Sequence, residues 1–329
     1  MYIGYIAKKV TIAFMTLLAV VTLNFLIFRV FVGGDPSQII IDPGMPADVR
    51  DRLQRLWGLD QPLFPHQYLT YLYNLFTWQY GYQFDAACTP IAPEMAWRLR
   101  NTIILLGVAT IGTICLGIPL GMFAGARRGR KTDVTVIGLG LLTWGVPTFF
   151  LQLVWVAIFC LWFGILPRAG LVELRPGGLP DPLTLAVDIA KHAISPVLTL
   201  ILAGFGSWAL YTRNMMVDTL TEDFILTARA KGLKERDVIV KHAFKSMLPP
   251  IVTMIALSVP GIVTGAIITE SIFAWPGIGQ WYIRSLLANN HPVAQAVLYN
   301  YAVLMIGANL VTDLIYGFLD PRIRVGVRR

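Results

Sequence analysis

Six long apolar stretches, at about residues 10–32, 102–126, 134–163, 194–217, 250–273 and 298–318, constrain this chain more than any other feature. A helix rises 1.5 Å per residue, so about 20 apolar residues cross the roughly 30 Å of bilayer hydrocarbon. Helices on the surface of a soluble core need one wet face and so interrupt their apolar runs sooner. Composition agrees with a lipid environment: 56% of the 329 residues are hydrophobic and 14% charged, against about 25% charged in soluble domains. The expected fold is an all-α integral membrane protein with about six transmembrane helices.

A formal net charge of +8 invites a nucleic-acid reading, but the placement of the charges gives a different account. With both termini assigned to the cytoplasm, segments 1–9, 126–133, 218–249 and 319–329 hold 16 Lys or Arg in 60 residues. The opposite segments, 33–101, 164–193 and 274–297, hold nine in 123 residues. That asymmetry is the positive-inside pattern, so the basic balance reports topology and no nucleic-acid partner is expected. The first span follows Lys8 and Lys9, but it is too long for a signal peptide's apolar region and lacks a small-residue cleavage site. It is expected to be an uncleaved first helix. Cys88, Cys115 and Cys160 show no pairing pattern.

The chain is expected to form one transmembrane domain, 1–329, with 33–101 as its extracytoplasmic segment and no linker. Within that segment Pro46 opens a short helix that Gly58 ends, with Val49, Leu53, Leu56 and Trp57 on one stripe. A second amphipathic stretch, about 65–79, gathers Tyr68, Leu69, Leu72, Tyr73 and Phe76. Aromatics at that density suit either a cap at the headgroups or a docking surface for an external partner. Gly117, Gly121 and Gly125 are spaced to admit a neighbouring backbone, which places the second helix inside the bundle. Pro119 and the Gly145/Pro147 pair are expected to kink the second and third spans.

Segment 218–249 reads as a helix-turn-helix shelf. Thr219 and Glu222 have capping-box spacing for a helix reaching Lys231, and Gly232 fits a left-handed cap. A second helix is expected from near Lys234 to the residue before Pro249 and Pro250. Ala228 and Ala230 keep the first helix slim, while Phe224 and Ile225 offer an apolar knob. That shape suits seating in a cleft of a soluble partner. It equally suits a helix lying on anionic lipid, with Lys234, Lys241 and Lys245 towards the headgroups.

The run from Asp223 to Pro250, DFILTARAKGLKERDVIVKHAFKSMLPP, resembles the cytoplasmic "EAA" loop of ABC-importer permeases. More narrowly it is similar to the B-type permease of the dipeptide/oligopeptide/nickel family, over nearly the whole chain. Further matches, in order, are Gly34-Asp35-Pro36, Gly58-Leu59-Asp60-Gln61-Pro62-Leu63, Leu99 to Thr102 and Gly117-Ile118-Pro119-Leu120-Gly121. Ala274-Trp275-Pro276-Gly277-Ile278-Gly279 and Leu319-Asp320-Pro321-Arg322 complete the set. The resemblance implies a type I ABC-importer-like transmembrane domain in a bacterial inner membrane. It implies that 218–249 carries a coupling helix seated in a cytoplasmic ATPase, with Thr227, Ala228 and Gly232 at contact and turn positions beside Phe224 and Ile225. Leu226 departs from the family pattern, which has Glu or, in close relatives, Arg. The implied partners are a second homologous permease, two cytoplasmic ABC ATPases binding ATP and Mg, an extracytoplasmic solute-binding protein and membrane lipid. The implied solute is a di- or oligopeptide, with nickel or an oligosaccharide as alternatives.

Catalytic signatures are missing from the sequence. No G-x-x-x-x-G-K-[ST] loop is present to cradle phosphate, and His66, His192, His242 and His291 are scattered, so neither a nucleotide nor a metal cofactor is expected on this chain. A G-x-S-x-G elbow and an H-E-x-x-H helix are also absent. Polar groups within the spans are the remaining candidates, because lipid exposes them at a cost of several kcal/mol. Asn24, Glu270, Asn309 and Asp313 qualify. Glu270, near the end of the fifth span beside Thr269, faces either a substrate vestibule or the interface. Asp313 is expected to serve helix packing or termination, while Arg29 and Arg213, at helix ends, are expected to snorkel. A secondary transporter or channel would predict intramembrane coupling charges and inverted repeats; few such charges and no repeat are evident.

Overall fold

The computed structural model describes residues 2–31, 61–83, 89–173, 181–263 and 266–319, with positions 48, 51 and 55. The expected helix between Pro46 and Gly58 lies outside the described residues, as do Cys88, Gly34-Asp35-Pro36 and Asp320-Pro321-Arg322. Among the described residues the regular elements are all helical, with one isolated bridge pairing Tyr82 and Pro90. They are α1 (Tyr2–Leu26), α2 (Tyr68–Phe76), α3 (Ile91–Gly125), α4 (Lys131–Gly145), α5 (Thr148–Trp155) and α6 (Pro182–Thr219). There follow α7 (Asp223–Ala230), α8 (the continuous rod Glu235–Ile262), α9 (Ile267–Ile272), α10 (Ile278–Leu287) and α11 (His291–Leu319).

Among the described residues, α1, α3, α6, α8 and α11 are each long and apolar enough to cross a membrane. The bent pair Lys131–Gly145 and Thr148–Trp162 supplies a sixth crossing if it counts as one span. Large side chains such as Phe14, Met15, Leu142, Trp144 and Trp162 stand exposed along these helices. Apolar surface on that scale belongs in hydrocarbon, where the helices satisfy their own backbone groups.

The third span is broken rather than kinked, its halves meeting at 97°. Pro147 supplies no N–H and pushes the residue before it out of the helical region, and Val146 is extended at φ −80°, ψ 130°. The fifth span also differs from expectation. Its helix begins at Glu235 and continues through Pro249, Pro250 and Pro260, ending near Ile262 instead of Phe273. The two adjacent prolines deprive the carbonyls of Lys245 and Ser246 of partners, but both residues are exposed, and a π-helical stretch, Val238–Ala243, precedes them. The fourth helix starts twelve residues before its apolar run, because Asp181 caps it. The Asp181 carboxylate accepts from the Thr184 amide at 3.1 Å and from its hydroxyl at 2.7 Å, with Pro182 in the first turn. Pro119 lies inside an α3 that remains continuous.

The chain folds as two compact units. The first draws on the described parts of Met1–Ile103, Val263–Ile267 and Pro276–Arg329. Its axis is α1 against α11. Asn24, buried, donates to the carbonyl of Gln295 at 3.1 Å, and Lys9 pairs with Asp313 at 2.8 Å. The Tyr5 hydroxyl adds a bond to the Asp313 carbonyl at 3.0 Å, so Asp313 is a packing residue between the first and last helices. Asn309 is exposed on α11. Phe25, Tyr71, Leu75, Ile91, Met95 and Val297 close a shared core in which Phe25 meets Tyr68 and Tyr71 at ring distances of 5.3 Å. On α2 the expected stripe divides. Tyr68 and Leu72 pack against the core, whereas Leu69, Tyr73 and Phe76 are exposed, and the fully buried face is instead that of Tyr71 and Leu75. Arg29 does not snorkel freely; its guanidinium donates to Gln67 Oε1 at 3.3 Å and is half-buried.

The second unit comprises Ile104–Ile262 and Ile268–Trp275. Its backbone is α6, flanked by α3 and α4. A Cβ on Gly117 would lie 2.4 Å from Cβ of Trp208, one on Gly121 2.4 Å from the Ala209 carbonyl oxygen, and one on Gly125 2.7 Å from the Arg213 carbonyl oxygen. The four-residue spacing therefore marks the face on which α3 meets α6, as expected for small residues at a membrane helix seam. A second glycine contact, absent from the sequence reading, joins α4 to α6. A Cβ on Gly206 would stand 2.3 Å from the Gly140 carbonyl oxygen. Arg213, expected at the interface, instead holds Asp133 of α4 through two hydrogen bonds.

Candidate functional site

α6 stops at Thr219 and the chain reverses within three residues. The Leu220 amide bonds to the Met216 carbonyl at 3.0 Å, and the Thr221 hydroxyl to the Asp218 carbonyl at 2.7 Å. Thr219 thus ends one helix instead of capping the next. Glu222 occupies the cap position of α7, in extended conformation and without a side-chain cap bond, so the expected capping box does not form. At the other end the Lys231 amide closes the last turn by donating a hydrogen bond to the Thr227 carbonyl at 3.1 Å. Gly232 follows at φ +75°, the left-handed geometry anticipated for it. Lys234, at φ −62° and ψ 140°, then launches α8.

The eight residues of α7 present two distinct faces. Ile225 is fully buried and Ala228 is 4% exposed, both packed on Met216, Val238, Ala243, Met247 and Ile251. These two are supports, tying α7 to the end of α6 and the start of α8. Phe224 at 44% and Leu226 at 56% exposure point away, with Thr227, Ala230 and Lys231 also exposed. The apolar knob foreseen at Phe224 and Ile225 is therefore divided, Phe224 outward and Ile225 inward. Arg229 closes the turn with Glu235, Nη2 to Oε1 at 2.7 Å and Nε to Oε2 at 3.3 Å. The carboxylate raises the already high pKa of Arg229, first through the hydrogen bond. Both groups are exposed enough that the pair contributes at most about 1 kcal/mol. Its value is geometric, since it holds the turn that contains Gly232.

Glu270 lies elsewhere in the second unit, on α9, with no exposed surface. Its neighbour Thr269 accepts a bond from Gln152 Nε2 at 2.8 Å, and Gln152 lies one turn beyond the break at Pro147. The Glu270 carbonyl receives the Trp275 amide at 2.8 Å. With its side chain fully enclosed, Glu270 is an interior carboxylate and not a side chain reaching the interface. Among the described residues, no three of His, Cys, Asp and Glu converge as a metal ligand set. Cys115 and Cys160 are free thiols.

Two motifs distant in sequence meet in the first unit. Thr102 Oγ1, fully buried, accepts the Ile278 amide at 2.9 Å, and Asn101 Nδ2 donates to the Pro276 carbonyl at 3.1 Å. The side chain of Thr102 thereby satisfies an otherwise open N–H at the start of α10. Neither residue was singled out for a role, because nothing local in sequence reveals a cap supplied from 176 residues away.

Residues 117–325 match the family described as "binding-protein-dependent transport system inner membrane component". The chain belongs to this family. It is a permease, with the fold of the type I ABC-importer transmembrane domain, and resides in the bacterial inner membrane. Relatives extend the likeness to the whole permease. The oligopeptide transport system permease protein AppB of Bacillus subtilis (strain 168) is 31% identical over 97% of this chain and 99% of its own length. The dipeptide transport system permease protein DppB of Escherichia coli (strain K12) is 31% identical over 97% and 98%. The glutathione transport system permease protein GsiC of Escherichia coli (strain K12) is 31% identical over 98% and 99%. The exposed face of α7 falls inside the matched family segment, as does Glu270.

Proposed function

We propose that this permease is the B-type transmembrane subunit of an ATP-driven importer of di- or oligopeptides, and that α7 is its coupling helix. The observation that carries this reading is the two-faced α7. Ile225 and Ala228 fix it rigidly to α6 and α8, while Phe224, Leu226 and Thr227 are left for a partner. A helix held that firmly moves its neighbours when it is moved, which is what coupling requires. Leu226 makes the expected contact apolar where related loops carry a charge.

The basic segments support a cytoplasmic side for both termini and for α7 with its flanking turns in 218–249, and an outer side for 33–101, within a single permease domain spanning 1–329. From Glu235 onward the 218–249 segment already belongs to the helix of the fifth crossing. The partners are two cytoplasmic ABC ATPases, which bind ATP and Mg, a second homologous permease and an external solute-binding protein. The chain itself is non-catalytic and carries no cofactor. ATP binding draws the ATPases together, α7 follows, and the pathway shared by the two permeases exchanges its open side. Phe224, Thr227 and Gly232 act as contact and turn residues, Ile225 and Ala228 as their mounting. Glu270 is the candidate pathway residue, an enclosed carboxylate on α9 that follows Thr269, the hydrogen-bond partner of Gln152, in the second unit. The peptide assignment follows the relatives, which are named for oligopeptides, dipeptides and glutathione.

Purification from the native membrane tests the reading. P-loop ATPases are expected in fixed ratio with the permease, and reconstituted vesicles should accumulate peptide only with ATP. Uptake by the permease without any ATPase would overturn it. Direct binding measurements on the cognate binding protein then decide the solute, and failure to bind any peptide would remove the peptide assignment while leaving the permease intact.

A further inference from the structure

A groove of about 1010 Å³ opens in the second unit between the last turns of α3 and the first turns of α8. Its walls are apolar: Ile118, Met122 and Phe123 on one side, Ile239, Val240 and Phe244 on the other. Both walls belong to helices long and apolar enough to cross a membrane, which suits the groove to hydrocarbon. Its charges collect at one end. Arg127 and Arg130 come from the turn after α3, and Arg236 and Glu235 from the first turn of α8. Glu235 is already engaged by Arg229 at 2.7 Å. Among the described residues Arg127, Arg130 and Arg236 have no carboxylate within ion-pair distance, and Arg127 lies 3.9 Å above the ring of Phe123. An apolar slot with three unpaired guanidiniums at its mouth has the polarity of one ligand class: long hydrocarbon below, phosphate above.

We propose that this groove binds an anionic phospholipid, its acyl chain along Met122, Phe123, Ile239 and Val240 and its phosphate at Arg127, Arg130 and Arg236. Guanidinium suits this task because it binds phosphate through a planar fork and lies flat on an aromatic ring. The bound lipid joins the end of α3 to the base of α8, which is the element Gly232 and Arg229 hinge to α7. Lipid composition therefore acts on the loop from behind, through a site separate from its outward face and independent of which solute is carried.

The test titrates the permease, purified in zwitterionic detergent with its co-purifying subunits, with dioleoyl phosphatidylglycerol or dioleoyl phosphatidylcholine and counts bound lipid by native mass spectrometry. One phosphatidylglycerol is expected to bind in preference to phosphatidylcholine. Arg127→Gln, Arg130→Gln and Arg236→Gln together should abolish the preference, each change weakening binding about fivefold. Lys8→Gln with Lys245→Gln, which removes two exposed charges outside the groove, should leave it unchanged. If the triple variant does not assemble, Val240→Trp provides the second arm by filling the slot while keeping every arginine, and it should exclude both lipids. Equal binding of the two lipids, or an affinity indifferent to both groove variants, overturns the proposal. So does efficient disulfide crosslinking from Val240→Cys to a second protein subunit, which would show the groove covered by protein.

Discussion

Arg213 of α6 grips Asp133 of α4 with two parallel hydrogen bonds, Nε to Oδ1 at 3.0 Å and Nη2 to Oδ2 at 2.8 Å. The carboxylate is 3% exposed and also accepts the Gly129 amide at 2.8 Å, so one side chain ties the 126–130 turn, the start of α4 and the end of α6 together. Asp133→Ala leaves a mostly enclosed guanidinium without its partner. The expected loss is about 3 kcal/mol, at the lower edge for a buried pair because Arg213 keeps some contact with solvent. Thermal unfolding in detergent measures it, and Asp133→Glu should recover part of the loss. An unchanged melting temperature in the alanine variant would deny the pair any structural role.

The α3–α6 seam makes a steric prediction. Gly121→Ala should destabilise by about 1–3 kcal/mol, because the added methyl meets the Ala209 backbone oxygen, which cannot rotate away. Gly138→Ala, on the next helix, has open space around the new carbon and should be neutral or slightly stabilising. Yield of folded protein and melting temperature distinguish the two.

The two faces of α7 can be separated by single substitutions. Ile225→Ala removes a fully buried side chain from a packed cluster and should cost about 2–4 kcal/mol of stability. Phe224→Ala touches an exposed position and should leave the melting temperature within about 0.5 kcal/mol equivalents. It should nevertheless lower ATPase co-purification and peptide uptake. Normal uptake in Phe224→Ala would remove the outward face of α7 from the coupling contact.

Gly232 adopts φ +75° with no atom near the position of its missing Cβ, so the obstacle to substitution is conformational rather than spatial. Alanine costs about 1–2 kcal/mol there, asparagine less, and valine more. Gly232→Val is expected to insert normally while transport falls and ATP hydrolysis loses its response to solute. Gly232→Asn should retain most uptake. Parallel uptake and hydrolysis assays check both.

Features set by chemistry local in sequence could be read directly. Residues Gly117, Gly121 and Gly125 announced a close helix seam by their spacing, and Gly232 announced a left-handed cap by following a helical run. The break at Val146 and Pro147 was legible in kind but not in size, since a proline fixes where a helix yields and tertiary packing fixes the angle. Reading Pro249 and Pro250 as a stop failed because their freed carbonyls, on Lys245 and Ser246, are exposed, and a helix loses little there. The capping box at Thr219 and Glu222 failed because α6 extends to Thr219 itself. Partnerships between distant residues left no trace in the pattern. Arg213 with Asp133, Thr102 with Ile278 and the inward turn of Ile225 all depend on which helices become neighbours.

α6 is a single helix of 38 residues, hence a rod about 57 Å long, nearly twice the thickness of the hydrocarbon layer. A rod of that length magnifies rotation: tilting it by about 5° sweeps one tip through about 5 Å relative to the other. Its glycine and arginine contacts with α3 and α4 hold the half nearer Thr219, and Ile189, Ala193, Val197 and Ile201 pack the other half beside Leu105, Ala109 and Trp275. A push on α7 therefore reaches the segment near Asp188 and His192 only by carrying the rod and its packed neighbours along together.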